Sequence, residues 1–398
     1  MENTKEKLKE IIANVVYELQ NSIIDDITQK SFSEIVCRTQ EIVNRLGTQL
    51  IENIVQMADE HFNSQRDKHC IILRHTKTRK MVSAMGDINL TRRLYFNKAQ
   101  NKYFFAVDEM LGIEKYSRVE GEFKSKLVRD AVLTSYGKAS ALSNSSVTRQ
   151  TVHNIVKRIP SCSLNVKPSK ELKKIDTLYI EADEDHIHLN NGQPADIKIV
   201  YVHEGRKTVK NRVTLINAKY FVSMKIRGVW EVVSDYVFNQ YLIENKNIHI
   251  LGDGAAWIKS GLNSFPGACF HIDKFHVYRN VRSIVTADKR ISSQIINCIK
   301  NEDMETLQNL YSNYYNSVTN SRIKRRIKQS LAYIDNNFDY IDLLSDLGCS
   351  AEGHVSHVLS ARMSSRPMAW SIAGADKMSK LRAFYFNGGS FSNLIKLQ

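Results

Sequence analysis

Proline is scarce in this chain, at five in 398 residues, which argues against long disordered linkers. Cysteine is sparse and scattered. Cys37, Cys70, Cys162, Cys269, Cys298 and Cys349 form no C-x-x-C pair, which speaks against a clustered-cysteine zinc site or a disulfide framework and for a reducing compartment. No run of about 18 apolar residues exists to span a membrane. Met1 to Glu6 lacks the basic start and apolar core of a secretory signal. These absences together predict a cytoplasmic protein. Acidic charge is also in deficit: 42 Asp and Glu against 56 Lys and Arg leave a formal net charge of +14. Such a balance points to a polyanionic partner, nucleic acid ahead of an anionic membrane surface. At 42% hydrophobic residues the chain is ordinary for a globular protein and long enough for two or three domains.

Four regions follow one another. Residues 1–69 repeat apolar positions at helical spacing (Leu8, Ile11, Ile12, Val15, Val16, Leu19, then Ile42, Val43, Leu46, Leu50, Ile54), which core packing and self-association explain equally well. Residues 70–115 read as a small β region, with a strand, turn, strand pattern over Met81–Leu90 and aromatics flanking a second turn at 97–101. Lys77, Arg79, Lys80, Arg92 and Arg93 crowd it, as a solvated basic face or as a phosphate-contacting one. Residues 116–165 pattern as a helix-turn-helix, with a polar turn at Ser143–Ser146 and a second helix at Thr148–Arg158. Arg149, Gln150 and His153 stand near the start of that helix, where recognition helices meet base edges; an ordinary helical hairpin has the same spacing.

The last region, 170–398, opens on Leu178-Tyr179-Ile180-Glu181-Ala182-Asp183-Glu184-Asp185-His186. Alternation along a strand sends Glu181, Asp183 and Asp185 one way and Ala182, Glu184 and His186 the other. Carboxylates at mid-strand need a cation or a partner unless the strand is a solvated edge. Strands are expected at Ile197–His203, Val209–Ile216, Ile248–Leu251 and Cys269–Ile272, with helices between the later ones. Hairpin-linked strands followed by helix-separated strands predict a five-stranded mixed sheet, antiparallel at first and parallel afterwards, in the order of the ribonuclease H-like fold. That order would bring Asp183 and Asp253 together.

Asp253 stands just past its strand, at the edge where open α/β sheets place ligands. Asp273 and His276 are three apart, neighbours on a helix, or a cap and a surface histidine. Glu352 lies near the start of a helical stretch interrupted by Gly353, in a segment carrying Arg362 and Arg366 before and near Pro367. Taken singly, each has a bland structural reading.

Taken in order, the stretches I-E-A-D-E-D-H, L-G-D-G-A-A-W-I-K, D-K-F-H and C-S-A-E-G-H-V-S-H-V-L-S-A-R-M-S-S-R-P-M-A-W-S, with V-D-E-M-L-G-I-E-K-Y at 107–116, resemble ISLre-type insertion-sequence transposases of the Mutator-like DDE branch. The resemblance covers nearly the whole chain. It implies a ribonuclease H-like catalytic domain with an all-helical insertion at about 281–345, basic at Arg322, Lys324, Arg325, Arg326 and Lys328. It also implies a catalytic, metal-holding triad of Asp183, Asp253 and Glu352, with Asp273 and His276 in support and Asp185 a less favoured substitute for Asp183. Two Mg²⁺ or Mn²⁺ ions would then be the cofactor, Asp183 touching both and Asp253 and Glu352 one each. DNA would be the partner at element ends and target, bound through Arg149, Gln150, His153, Arg92, Arg93, Arg362 and Arg366. A homo-oligomer associated with the nucleoid is expected. A metal-dependent nuclease of the same fold, or a remnant that only binds DNA, are the alternatives.

Overall fold

The computed structural model describes residues 2–21, 31–143, 145–210, 212–284 and 289–396. Two units emerge from the way the backbone clusters: residues 1–159 with 390–398, and residues 160–389.

In the first unit, α1 (Glu2–Leu19) meets the long α2 (Phe32–Gln65) around Val15 and Ile42, backed by Leu19, Ile35 and Leu46. Ser31 and Glu34 close a reciprocal capping box at the start of α2. Three antiparallel strands follow, β1 (Ile71–Ser83), β2 (Gly86–Asn97) and β3 (Lys102–Phe105), in that spatial order. Val55 of α2 joins Met81, Ile88, Leu90 and Val107 in one apolar cluster, so α2 is the cover of this sheet.

That packing engages two of the basic residues. Arg92 is only 5% exposed, ion-paired to Asp108 and laid over the Phe105 ring, and Arg93 pairs at 2.8 Å with the buried Asp59 of α2. The Arg93 guanidinium joins the sheet to α2, and the Arg92 guanidinium is held within the unit by Asp108. Arg74, Lys77 and Lys80 of β1 keep the exposed face basic.

A short helix, Ala106–Met110, carries Asp108, and three more follow: α3 (Gly121–Leu133), α4 (Tyr136–Ala141) and α5 (Arg149–Arg158). Phe123, Leu127, Val128, Ala131, Val152 and Val156 are buried in or beside their junction. Thr148 caps α5 through the N–H of Thr151, and Ser140 Oγ donates to the Val147 carbonyl at 2.6 Å, tying down the turn. Residue 144 of the expected polar turn lies outside the described residues.

The second unit is built on a five-stranded sheet: β4 (Leu178–His188), β5 (Pro194–His203), β6 (Lys219–Ser223), β7 (Ile248–Gly252) and β8 (Cys269–Ile272), in the order β8-β7-β4-β5-β6. Strands β4, β5 and β6 run antiparallel, while β4, β7 and β8 run parallel. The acidic strand β4 is therefore the centre of a mixed sheet, not an edge. The third strand is not where the residue pattern put it. Val209 and Val213 belong to a small two-stranded ribbon, Arg206–Val209 with Arg212–Leu215, and the sheet strand begins at Lys219 after Asn217 takes a left-handed φ of 53°.

Helix α6 (Ile226–Gln240) covers one face through Val229, Trp230, Val233 and Val237. From β8 the chain enters α7 (Lys274–Ile284), α8 (Lys289–Lys300), α9 (Met304–Ser317) and α10 (Ser321–Asp335). Residues 285–288 of the expected insertion lie outside the described residues. Ile295, Ile299, Leu307, Tyr311, Ile327 and Ile334 belong to the same buried cluster as Leu178, Ile180 and Ile250. These helices thus share the core of the sheet and are not a separate module. A helical run α11 spans Ala351–Met363 with a π turn at Ser356–Ser360, and α12 covers Ile372–Phe386. The last helix, α13 (Phe391–Lys396), groups with the first unit, where Ser392 Oγ donates to Glu122 of α3 at 2.6 Å. The second unit ends at Gly389.

Candidate active site

One face of β4 is apolar and the other acidic, and the core decides which is which. Leu178, Ile180 and Ala182 enter the hydrophobic cluster with Val200, Val202, Ile248 and Ile250. Period-two alternation then commits Glu181, Asp183 and Asp185 to the opposite face.

Register brings the aspartates together. Leu251 of β7 pairs with Glu181 of β4, so two residues on, Asp253 stands level with Asp183 on the neighbouring parallel strand. Gly252 pairs with Ile272 of β8, which puts Asp273 at the same level one strand further. Adjacent strands are about 4.8 Å apart, so Asp183 in the middle of β4 stands beside Asp253 and Asp273, which follow the carboxyl ends of β7 and β8. The Gly254 after Asp253 turns at φ +90°, and any side chain there would meet Asn337 Oδ1 at 2.5 Å. Asp-Gly here is a strand end, not a hairpin. Tyr333 of α10 donates to the Asp253 carbonyl at 2.9 Å and holds that end in place.

The charges feel one another. Burial pushes the Asp183 carboxyl up to about 6; Asp253 and Glu184 push the same way, against the Glu184 N–H and His276. Asp273 is buried, accepts from the Phe275 N–H at 3.0 Å and holds the His276 ring through Nδ1 at 3.0 Å. Burial alone would lower the proton affinity of His276, but Asp273, Asp183 and Asp253 outweigh it and raise it. Asp183 and Asp253 each lend one oxygen to a backbone N–H, of Glu184 and Ala255, both at 2.8 Å.

Neighbouring acids have basic partners: Glu181 has Arg206, Glu184 has Lys198, and Asp273 has the His276 ring. Among the described residues no ion pair involves Asp183, Asp253 or Glu352.

Glu352 is exposed in the first turn of α11, and α11 lies along the acidic face of β4. Ser350 contacts Glu181 on one side of Asp183, and Ser360 and Ser364 contact Asp185 on the other. The helix carrying Glu352 therefore bridges the strand position of Asp183. Asp185 itself is 5% exposed and accepts from both serines; burial raises its carboxyl, against their hydrogen bonds. Arg362 is 5% exposed with its guanidinium over the Trp370 ring, whereas Arg366 is exposed.

Glu181 is the residue that sequence reasoning passed over. Fully buried, it accepts from His203 Nε2 at 2.9 Å, Arg206 Nη2 at 2.8 Å, Cys349 Sγ at 3.2 Å, Tyr201 Oη, and the N–H and Oγ of Ser350. Burial opposes its charge, but His203 and Tyr201 lead a set of donors that holds it well below the usual carboxylate range. The signal was its position, two residues from Asp183 on the same face.

A second cluster, Glu184, His186 and Asp196, sits on the other face of β4 and β5, with ligand atoms within 4.8 Å of one another. Lys198 already pairs with Glu184 and, at 3.4 Å, with Asp196. A cavity of about 870 Å³ lies elsewhere in this unit, lined by Phe221, Val229, Val232 and Ile372 among others, and none of the three carboxylates lines it.

The model of the uncharacterised protein family UPF0236 matches residues 27–395. The chain belongs to UPF0236. A UPF0236 protein of Caldanaerobacter subterraneus subsp. tengcongensis is 34% identical over 378 residues, covering 92% of this chain and 82% of the relative. A second from that organism, 33% identical over 387 residues, covers 94% and 82%, and its name joins eleven locus designations. A third, described as the UPF0236 protein in the vanSb 3' region of Streptococcus gallolyticus, is 22% identical over 91% of this chain and 84% of its own. These UPF0236 relatives span both units, so the helical triad of the first unit is matched together with the acidic sheet edge. In that triad Arg149 and Gln150 are exposed at the start of α5, and His153 is half-buried with its ring 5.5 Å from that of Tyr136. No described helix is long and apolar enough to cross a membrane.

Proposed function

We propose that this UPF0236 chain is a DNA transposase of the ISLre insertion-sequence type, with a ribonuclease H-like second unit that cuts and joins phosphodiester bonds. One observation carries the reading. Asp183 and Asp253 stand level on adjacent parallel strands, with no lysine or arginine ion pair among the described residues, beside a helix that carries the exposed Glu352. Like charges held this close raise the free energy of the protein alone and favour a site that takes divalent cations. Hard carboxylate oxygens suit Mg²⁺ or Mn²⁺ better than zinc, and Asp183, Asp253 and Glu352 are the residues that would hold them. Such ions, when bound, supply the Lewis acidity that activates an attacking oxygen and steadies a leaving one.

The chain's own groups supply the rest. Asp273 fixes the His276 ring beside the two aspartates, where its other ring nitrogen is left for a phosphate oxygen or a water. Arg149 and Gln150 present hydrogen-bond donors at a helix start, the place from which a major groove is read. The net charge of +14 suits a long polyanion. A relative whose name joins eleven locus designations in one organism supports a mobile element, because such a sequence recurs through a genome.

The test is direct. Purified protein, Mg²⁺, labelled element-end DNA and a target plasmid should give nicked ends and joined products. Nicks without joining would indicate a nuclease of the same fold. Binding without nicks would indicate a DNA-binding protein alone.

A further inference from the structure

Three carboxylates share the acidic face of β4, and among the described residues the middle one alone accepts from no side-chain donor. Glu181 is fully buried, and its oxygens are taken by Tyr201, His203, Arg206, Cys349 and Ser350. Asp185 is nearly as deep, and its Oδ1 accepts from Ser360 Oγ at 2.8 Å and Ser364 Oγ at 2.7 Å. Each carboxylate therefore grips a different part of one segment, residues 350–364, which includes α11.

The spans agree. Four residues of strand separate Glu181 from Asp185, about 13 Å at the usual strand rise. Ten residues of helix separate Ser350 from Ser360, about 15 Å at the α-helical rise. A helix fastened at those two places must run roughly along β4 and pass over Asp183. Glu352 lies inside the fastened segment, two residues from the first grip.

We propose that Glu181 and Asp185 are positioning residues that fasten the Glu352 helix to the catalytic strand, and so set how tightly the acidic site holds a divalent cation. They act through Ser350, Ser360 and Ser364 and are not themselves cation ligands. The inference rests on the reading of Asp183, Asp253 and Glu352 as the cation site. Loss of a partner that orients a ligand ordinarily weakens metal affinity by about 10–100-fold.

The experiment measures Mn²⁺ affinity of the full-length protein without DNA, by the electron paramagnetic resonance signal of free Mn²⁺, alongside the thermal midpoint without metal. Ser360→Ala combined with Ser364→Ala should weaken Mn²⁺ binding at least tenfold, and Ser360→Thr with Ser364→Thr should restore most of it. Glu181→Gln should weaken it as well, and it serves as the second variant if the double alanine does not fold. A fall in thermal midpoint with unchanged Mn²⁺ affinity would overturn the proposal, leaving both carboxylates with a structural task only. Separately, Mn²⁺ binding by Asp183→Asn as tight as in the unsubstituted protein would remove the cation site itself, and the positioning role with it.

Discussion

Asp253 reaches the level of Asp183 on the neighbouring parallel strand, two residues beyond the Leu251–Glu181 pair. Without a cation the pair is a liability, and its sign can be worked out. The Asp183 carboxyl is raised from its ordinary 3.8 to about 6, first by burial and then by the charges of Asp253 and Glu184. A raised carboxyl means that ionisation disfavours the fold. The penalty is absent below about pH 4, grows between about 4 and 6, and is complete above that. Asp183→Asn should therefore stabilise the metal-free protein at pH 7.5 by on the order of 1–3 kcal/mol, and by nothing at pH 4. Thermal melts at the two pH values check this. A destabilised Asn variant at pH 7.5 would contradict it.

Replacing any one of Asp183, Asp253 or Glu352 by its amide should abolish both cutting and joining while DNA binding survives. Residues that act as one unit each take nearly the whole activity, so double amides should be no worse than single ones. Gel assays of nicked and joined products decide the matter. If Asp183→Asn retains activity and Asp185→Asn has none, the strand assignment is off by two residues. Full activity in Glu352→Gln would place the third carboxylate elsewhere.

The arginines of the first unit should divide into two kinds. Arg149→Ala and Gln150→Ala should each weaken element-end DNA by about 1–3 kcal/mol, leave random-sequence DNA nearly unaffected and not move the melting temperature. Arg93→Ala strands the buried Asp59 and should lower stability by about 3–5 kcal/mol, with DNA affinity following only the folded fraction. Binding isotherms measured beside melting curves separate the two.

Asp273 and His276 should support the site without holding zinc. Protein purified without added metal should contain no stoichiometric zinc by elemental analysis. His276→Ala should keep the fold and lose cutting activity. Zinc present at one per chain and lost in His276→Ala would overturn this.

The backbone plan was readable because its signals are local. Alternation named the two faces of β4, and the short apolar run before Asp253 marked that residue as a strand end. Level Asp183 and Asp253 follow from strand order once parallel pairing is assumed. What stayed hidden depends on partners far along the chain. Arg93 looks like any basic surface residue until Asp59 arrives from α2, and Arg362 until Trp370 covers it. The ribbon at 206–215 mimicked the third sheet strand because four-residue strands with alternating Val and Thr carry the same period. Glu181 was named for its face but not its depth, since its donors come from β5, the ribbon and residue 350.

The grip of Ser350 on Glu181 spans 169 residues of sequence. A contact that distant closes a large loop, and loop closure of this kind comes late in folding. During synthesis the sheet strands emerge first, and the carboxylate at the centre of β4 waits for a segment not yet made. A copy interrupted by a frameshift before residue 350 would keep the strands and most of the core, yet leave Glu181 short of the Ser350 and Cys349 donors at full burial. The contact that holds the helix in place thus also makes the buried charge of β4 depend on residues far along the chain.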